Sequence, residues 1–324
     1  MSLNVLVVGG AGYIGSHMVK NLCGRGVNVT TFDNLSSGHR DAVLGGEFIQ
    51  GDLADRAALE QVFAAHRFDA VMHFASFIEV GESVRLPAKY YRNNVSNTLN
   101  LLECMQAAGV EQFIFSSTAA IFGTPQRVPI DETHPTNPIN PYGRSKLMVE
   151  QMLADLARAH GLRSVCLRYF NAAGADPDGQ LGERHNPETH LIPLVLQAAS
   201  GRRPFMSVFG TDYDTPDGTC IRDYVHVADL CEAHWLALQS LAQGEGSQAY
   251  NLGNGDGFSV FEVIDTVRKV TGREFTVKHE TRRAGDPSRL VADSSAARQK
   301  LGWVPKYPSL QTIVEHAWAF EQRR

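Results

Sequence analysis

Short apolar runs alternate with amphipathic stretches through the first half of the chain. Asn4 to Val8, Val27 to Phe32, Glu47 to Gln50, Ala70 to Phe74, Gln112 to Ser116 and Ser164 to Arg168 read as strands, and the first is apolar and β-branched enough to be buried on both faces. Between them, Tyr13 to Cys23, Ala57 to His66, Tyr91 to Ala108 and Tyr142 to His160 carry helical periodicity. Strands separated by helices predict an α/β fold, a Rossmann-type doubly wound parallel sheet. Past Asn171 the rhythm breaks into clusters of Gly, Pro, Asp and Asn, notably Ala175 to Pro187 and Gly210 to Gly218, which read as loops. Asp223 to Leu241 reads as a helix and Ala249 to Leu252 as a strand. The division expected is a dinucleotide domain over residues 1–171, with a return segment near 223–253, and a smaller, discontinuous mixed α/β substrate domain over 172–324.

Composition narrows the class. With 324 residues, 43% hydrophobic and 20% charged, the chain is long enough for about two domains and too apolar for disorder. A net charge of -5 with scattered Lys and Arg gives no basic field for nucleic acid. No apolar run reaches the length of a membrane span, and Met1-Ser2-Leu3-Asn4 does not begin a signal peptide, so the expected location is the cytoplasm. The five cysteines are widely spaced and are expected to be reduced. The twelve histidines show no H-x-x-x-H spacing, and no metal is expected.

The strongest local signal follows the first strand. Gly9-Gly10-Ala11-Gly12-Tyr13-Ile14-Gly15 is a G-x-x-G-x-x-G turn between a strand and a helix. In that setting glycines permit the turn, let a pyrophosphate approach the backbone and allow close helix-strand packing, while the helix N-terminus supplies N-H donors. Asp33 ends the second strand about twenty residues on, where a carboxylate accepts from ribose hydroxyls; alternatively it caps a turn with the neighbouring Asn34 and Ser36. No Arg follows it, which favours NAD over NADP. Asp52, after the third strand, stands at the same sheet edge and is a candidate for the adenine amino group.

A second constellation lies downstream. Asn140-Pro141-Tyr142-Gly143-Arg144-Ser145-Lys146 places a phenol and an ammonium four apart, on one helix face behind an Asn cap and a Pro at the first position. A tyrosine near pKa 10 needs roughly 4 kcal/mol of preference for the phenolate to work as a base near neutrality. A neighbouring ammonium, a helix N-terminus and an oxidised nicotinamide all act in that direction. Thr118 or Ser117, ending the preceding strand, is placed to share the proton; the alternative for Tyr142 and Lys146 is an exposed surface pair.

These motifs, with His73-Phe74-Ala75, Val80-Gly81-Glu82-Ser83, Asn93-Asn94-Val95, Arg168-Tyr169-Phe170-Asn171, Arg222-Asp223-Tyr224 and Tyr250-Asn251-Leu252-Gly253, make nearly the whole chain resemble the extended short-chain dehydrogenase/reductase family, in its branch acting at carbon 4 of UDP-sugars. The resemblance implies NAD-dependent 4-epimerisation of a UDP-hexose, UDP-galactose to UDP-glucose, through a transient 4-keto sugar. Tyr142 is then the acid/base, Lys146 its electrostatic partner and Thr118 the hydroxyl on the sugar oxygen. Cofactor contacts are implied at Gly9, Gly12, Tyr13, Ile14, Gly15, Asp33, Asn34, Leu35, Ser36, Ser37, Gly38, Asp52, Leu53, Phe74, Ala75, Ser76, Asn93 and Phe170, besides Thr118, Tyr142 and Lys146. Substrate contacts are implied at Asn171, His190, Leu191, Phe209, Arg222, Arg283, Asp286 and Leu290, with the two arginines on the diphosphate, Asp286 on the uridine ribose and Phe209 near uracil.

Three positions depart from the pattern. Ile78 replaces a cofactor-contacting Lys of some members, His190 replaces an Asn facing the sugar, and Leu290 is intermediate in bulk where size governs entry of an N-acetyl group. Another UDP-sugar, whether N-acetylated, pentose or uronate, and a non-catalytic NAD-sensing role therefore stay as alternatives. Thr118-Ala119-Ala120 lacks the carboxylate expected of a 4,6-dehydratase. The helices Tyr91 to Ala108 and Tyr142 to His160 resemble a dimer-forming pair, with Leu99, Leu102, Met105, Leu147, Met148, Met152 and Leu156 as apolar candidates for a homodimer interface.

Overall fold

The computed structural model describes residues 3–283 and 286–324; Met1 and Ser2, part of the chain start read above, and Ala284 and Gly285 lie outside the described residues. Strands β1 (Asn4–Val8), β2 (Asn28–Asp33), β3 (Glu47–Gln50), β4 (Ala70–His73), β5 (Gln112–Thr118) and β6 (Arg163–Tyr169) fall where the apolar runs predict them. Further along come β7 (Asn171–Ala173), β8 (Met206–Phe209), β9 (Ile221–Arg222), β10 (Tyr224–His226), β11 (Gln248–Leu252), β12 (Phe258–Ser259), β13 (Val277–Glu280) and β14 (Arg289–Leu290). The helices are α1 (Tyr13–Gly24), α2 (Arg56–Ala65), α3 (Val80–Arg85), α4 (Pro87–Tyr90), α5 (Asn97–Ala107), α6 (Pro141–His160), α7 (Leu191–Ala199), α8 (Val227–Ala242), α9 (Val260–Thr271) and α10 (Leu310–Glu321).

A seven-stranded sheet in the order β11-β6-β5-β4-β1-β2-β3 runs parallel throughout. This is the Rossmann-type doubly wound fold expected from the alternation. The reason is visible in β1, whose side chains alternate between two cores. Val5 and Val7 pack with Met18, Val19 and Leu22 of α1 and Leu230, Leu238 and Leu241 of α8. Leu6 and Val8 pack on the other face with Leu59 of α2, Leu101 and Met105 of α5, and Val149 and Leu153 of α6. With both faces covered, a strand has no polar face to present, hence the continuous apolar runs.

Two expectations need correction. Asp223 to His226 is not helical: Tyr224–His226 forms β10, paired in parallel with β7, and α8 begins only at Val227. The β-branched and aromatic residues of that stretch suit a buried ladder, and Asp223 spends its side chain on a neighbouring loop rather than on a cap. Tyr91 to Ala108 is not one uniform helix either, since Tyr91–Ser96 is wound as a π-helix before α5 starts at Asn97. Beyond the sheet, a third core gathers Ile192, Val195 and Leu196 of α7, Val263 and Val267 of α9, and Ile313 and Val314 of α10 over β8.

Candidate active site

All seven strands of a parallel sheet end on one edge, and the strand order reverses between β1 and β4, where such sheets bind ligands. The glycine turn occupies that point. Gly9 has φ +80°, and a Cβ there would lie 2.5 Å from the Ala75 nitrogen after β4. A Cβ on Gly15 would fall 2.1 Å from the Gly9 carbonyl, so helix and turn touch through the missing side chain. Gly12 differs: its φ is -77°, and the nearest atom to an added Cβ is 3.4 Å away. The chain itself does not need glycine there. The α1 N-terminus has no side-chain cap, so its leading N-H groups and the space over Gly12 fit a pyrophosphate. We expect Gly12→Ala to melt like wild type when free of NAD yet to lose NAD affinity about tenfold or more, whereas Gly15→Ala loses both fold stability and cofactor. Thermal melts beside NAD titrations check it; equal NAD affinity in Gly12→Ala would refute the role.

Asp33 is buried at the end of β2. Its Oδ2 accepts the Ala11 N-H (2.9 Å) and its Oδ1 the Leu35 N-H (2.8 Å), so it staples the glycine turn to the next loop. The turn-capping reading is therefore realised, and the remaining lone pairs stay open to ribose hydroxyls. Asn34 donates to Asp52 Oδ2 (2.7 Å), Ser36 N-H to Asn34 Oδ1 (2.9 Å), and Gly38 packs closely on Ala11. Leu35 holds a left-handed φ of 59°. Gly12, Tyr13 and Ser37 line a pocket together with Arg184 and His185. Ile14 and Leu35 lean on one core and Leu53 is buried in the other.

Tyr142 and Lys146 both lie on α6. Pro141 opens α6, and the Asn140 side chain accepts the Gly143 N-H at 2.8 Å. Lys146 is buried, with Nζ donating to the Ser116 carbonyl (2.7 Å) and to Ser76 Oγ (2.8 Å), which draws in the segment after Phe74 and Ala75. Asn93 donates to Asn94 Oδ1 (2.9 Å), and Asn94 holds Phe77 and Ser145, so the π-helix is tied to the same wall. Burial lowers the Lys146 ammonium to about 7, with the Glu150 charge pulling the other way. The folded value lies below the unfolded one, so unfolded chains carry the extra proton between about 7 and 10.5, and stability rises with pH across that window. In NAD-free protein, Lys146→Met should flatten this slope, as thermal melts across the same range would reveal; an unaltered slope would count against it.

Thr118 and Ser117 part company. Ser117 donates to Glu150 Oε1 (2.5 Å). Thr118 Oγ1 accepts the Ala120 N-H (3.1 Å) and its hydroxyl lies against the Tyr142 phenol. Burial pushes that phenol up and the Thr118 hydroxyl pulls it down. Lys146 Nζ gives its hydrogen bonds to Ser116 and Ser76 in this arrangement. Thr118→Val should lower turnover by about 10–100-fold, the worth of a hydrogen bond to a charged group. Steady-state kinetics test it, and an unaffected kcat would discard the role.

The substrate-side residues fall in three groups. Leu290 pairs with Arg222 across β14 and β9, Arg222 Nη2 reaches Asp286 Oδ1 at 3.3 Å, and Asn171 Nδ2 donates to the Asp223 carbonyl at 2.9 Å. Leu290 also packs with Phe170 against Ile121, Phe122 and Ile130. Separately, the Arg283 guanidinium covers the Phe209 ring at 3.9 Å. Leu191 opens α7 and leans on the third core, while His190 turns its Nδ1 onto Glu183 (2.7 Å) and Glu188 (3.1 Å).

Several contacts escaped the sequence reading. Glu150 sits one turn beyond Lys146 and is gripped by Arg168 with Nε at 3.0 Å from Oε1; the i, i+4 step was its only signal. Asp223 accepts from Asn254 (2.7 Å), Gly255 (3.1 Å) and Ala292 (3.1 Å) N-H groups. Glu183, His185, Glu188 and His190 converge, and a search for histidine spacing alone passes over a mixed set.

A parallel sheet with a glycine turn at its switch point defines a dinucleotide-binding protein. The chain belongs to the NAD dependent epimerase/dehydratase family, whose model matches residues 5–253. It is 53% identical over 321 residues to the UDP-glucose 4-epimerase of Rhizobium meliloti (strain 1021), covering 99% of this chain and 98% of the relative. It is 54% identical to that of Rhizobium leguminosarum bv. trifolii, covering 97% and 96%. The crystal structure of UDP-glucose 4-epimerase from Brucella ovis in complex with NAD superposes with a TM-score of 0.96 at 52% identity, covering 98% of each chain. The resemblance drawn from the motifs holds.

Proposed function

We propose that this protein is an NAD-dependent 4-epimerase of UDP-hexoses, interconverting UDP-galactose and UDP-glucose. The observation that carries it is the Tyr142 phenol against the Thr118 hydroxyl, next to the buried Lys146 and at the sheet edge holding the glycine turn. NAD, when bound, supplies reversible hydride transfer at sugar carbon 4. Tyr142 takes the proton of the 4-hydroxyl and later returns it, Thr118 orients that oxygen, and Lys146, held by Ser76 and Ser116, fixes the floor beneath them. Inversion needs the 4-keto sugar to turn over between the two transfers while its nucleotide stays put. Arg222, Arg283 and Asp286 suit that anchoring, as guanidinium forks for a diphosphate and a carboxylate for ribose.

Residues 1–171 with a return near 223–253 form the cofactor part of this reading and 172–324 the substrate part, supported by β11 pairing with β6 and α8 lying on α1. Incubating purified protein with UDP-galactose and following UDP-glucose tests the activity; absence of turnover with every UDP-hexose would favour an NAD-sensing role. The chain is proposed to work in the cytoplasm, in keeping with five free cysteines; among the described residues no helix is long and apolar enough to cross a membrane. A homodimer through α5 and α6 is also proposed. Of its apolar candidates only Leu99 and Met148 are exposed, whereas Leu102 and Met105 are buried and Leu147, Met152 and Leu156 pack on cores. A monomeric mass in solution would refute the dimer.

A further inference from the structure

We propose that Glu183, His185, Glu188 and His190 bind one zinc-class divalent cation between the glycine turn and the start of α7. The four side chains come from a single stretch of the loop preceding α7, and one ligand atom of each lies within 4.8 Å of the other three. His185 Nδ1 and His190 Nδ1 stand 2.9 and 2.7 Å from the same Glu183 Oε1. Glu188 turns one oxygen to His190 Nδ1 at 3.1 Å and the other to His185 Nδ1 at 3.9 Å. Zinc bonds of about 2.0–2.2 Å put tetrahedral ligand atoms roughly 3.4 Å apart, so small outward shifts of the nearer pairs open the centre.

Charge argues the same way. The side chains of Glu183 and Glu188 are each only 6% exposed. Two carboxylates withdrawn from water require compensation. Contacts from the two imidazoles supply part of it. A divalent cation balances both carboxylates at once and leaves the imidazoles as neutral ligands. Two nitrogens with two carboxylate oxygens suit zinc rather than calcium or magnesium, which favour oxygen alone.

The ligands are also held in place beforehand. Glu188 Oε1 accepts the Thr189 and His190 N-H groups, each at 2.8 Å, leaving Oε2 for the cation. The His185 ring meets the edge of Tyr13, whose hydroxyl donates to the Gly174 carbonyl at 2.7 Å, and Arg184 forks onto Asp41 with both contacts at 2.8 Å. Such outer contacts orient ligands and cut the entropy lost on binding. Four protein ligands close the coordination shell, so the ion is structural. It would fasten residues 183–190 to the wall beside Tyr13 and set the position of His190. The inference does not depend on which sugar is the substrate.

The experiment strips full-length protein with a chelator and titrates it with zinc chloride by calorimetry, with bound NAD measured on the same samples. One zinc per chain and a raised melting midpoint are expected. His185→Asn and Glu188→Gln should each weaken zinc by at least the ~10–100-fold that loss of an outer-shell partner costs. Absence of saturable one-to-one binding in the wild type overturns the proposal. Binding that survives both substitutions unchanged does so too. If the variants do not fold, cobalt(II) in the wild type decides: strong visible bands of a four-coordinate centre support the site, and a weak six-coordinate spectrum rejects it. Retained NAD alongside failed zinc binding separates this outcome from failure of the cofactor reading.

Discussion

Tyr142→Phe should keep NAD bound and lower interconversion of UDP-galactose and UDP-glucose by about 10²–10⁴-fold, the usual range for a lost acid/base group. The substitution deletes one oxygen from a half-buried ring, and α6 keeps its Asn140 cap and Pro141 start. The groups expected to hold the dinucleotide lie elsewhere, at the glycine turn and Asp33, and Lys146 keeps its bonds to Ser116 and Ser76. What disappears is the phenol hydroxyl set against Thr118, the group proposed to exchange a proton with the sugar. Steady-state turnover, with NAD quantified after denaturation, checks both halves; a variant as fast as wild type removes Tyr142 from the mechanism.

The largest stability loss is expected at Asp223→Ala. Three N-H groups, of Asn254, Gly255 and Ala292, converge on its fully buried carboxylate. Stranding a buried donor costs about 1–3 kcal/mol, so the three together amount to roughly 3–5 kcal/mol after partial relaxation, out of the ~5–15 kcal/mol typical of a folded domain. Gly253 packs so closely on this carboxylate that no side chain fits between them. Asp223→Asn keeps one acceptor and should fall between wild type and Ala. Denaturant titration measures the ordering, and an Ala variant with the wild-type midpoint would show that the loop is held by other means.

How far the chain could be read before its fold was known follows from which signals are local. The strands of the main sheet announce themselves because burial on both faces forces apolar runs, and the turn at Gly9–Gly15 and the pair Tyr142–Lys146 carry fixed spacings. Asp223 was legible as a motif residue but not as a hub, because its three partners arrive from Asn254, Gly255 and Ala292, far along the chain. The commitment of Ser117 to Glu150 rather than to the site depends on which way β5 turns its alternate residues at the sheet edge. Spacing puts Lys146 four residues beyond Tyr142 but says nothing of where a flexible ammonium finds its acceptors, Ser116 and Ser76. The stretch Tyr224–His226 was mistaken for helix because three residues are too few to establish a period.

The lateral position of β11 bears on how the molecule is made. Its partner β6 ends at Tyr169 and β11 starts at Gln248, so about eighty residues must emerge from the ribosome before the sheet gains its last strand. Until then β6 is a bare border with its amides unpaired, the kind of template on which nascent chains stick to one another. Expression at lower temperature, or with a chaperone that shields such borders, should therefore raise the soluble yield of this protein.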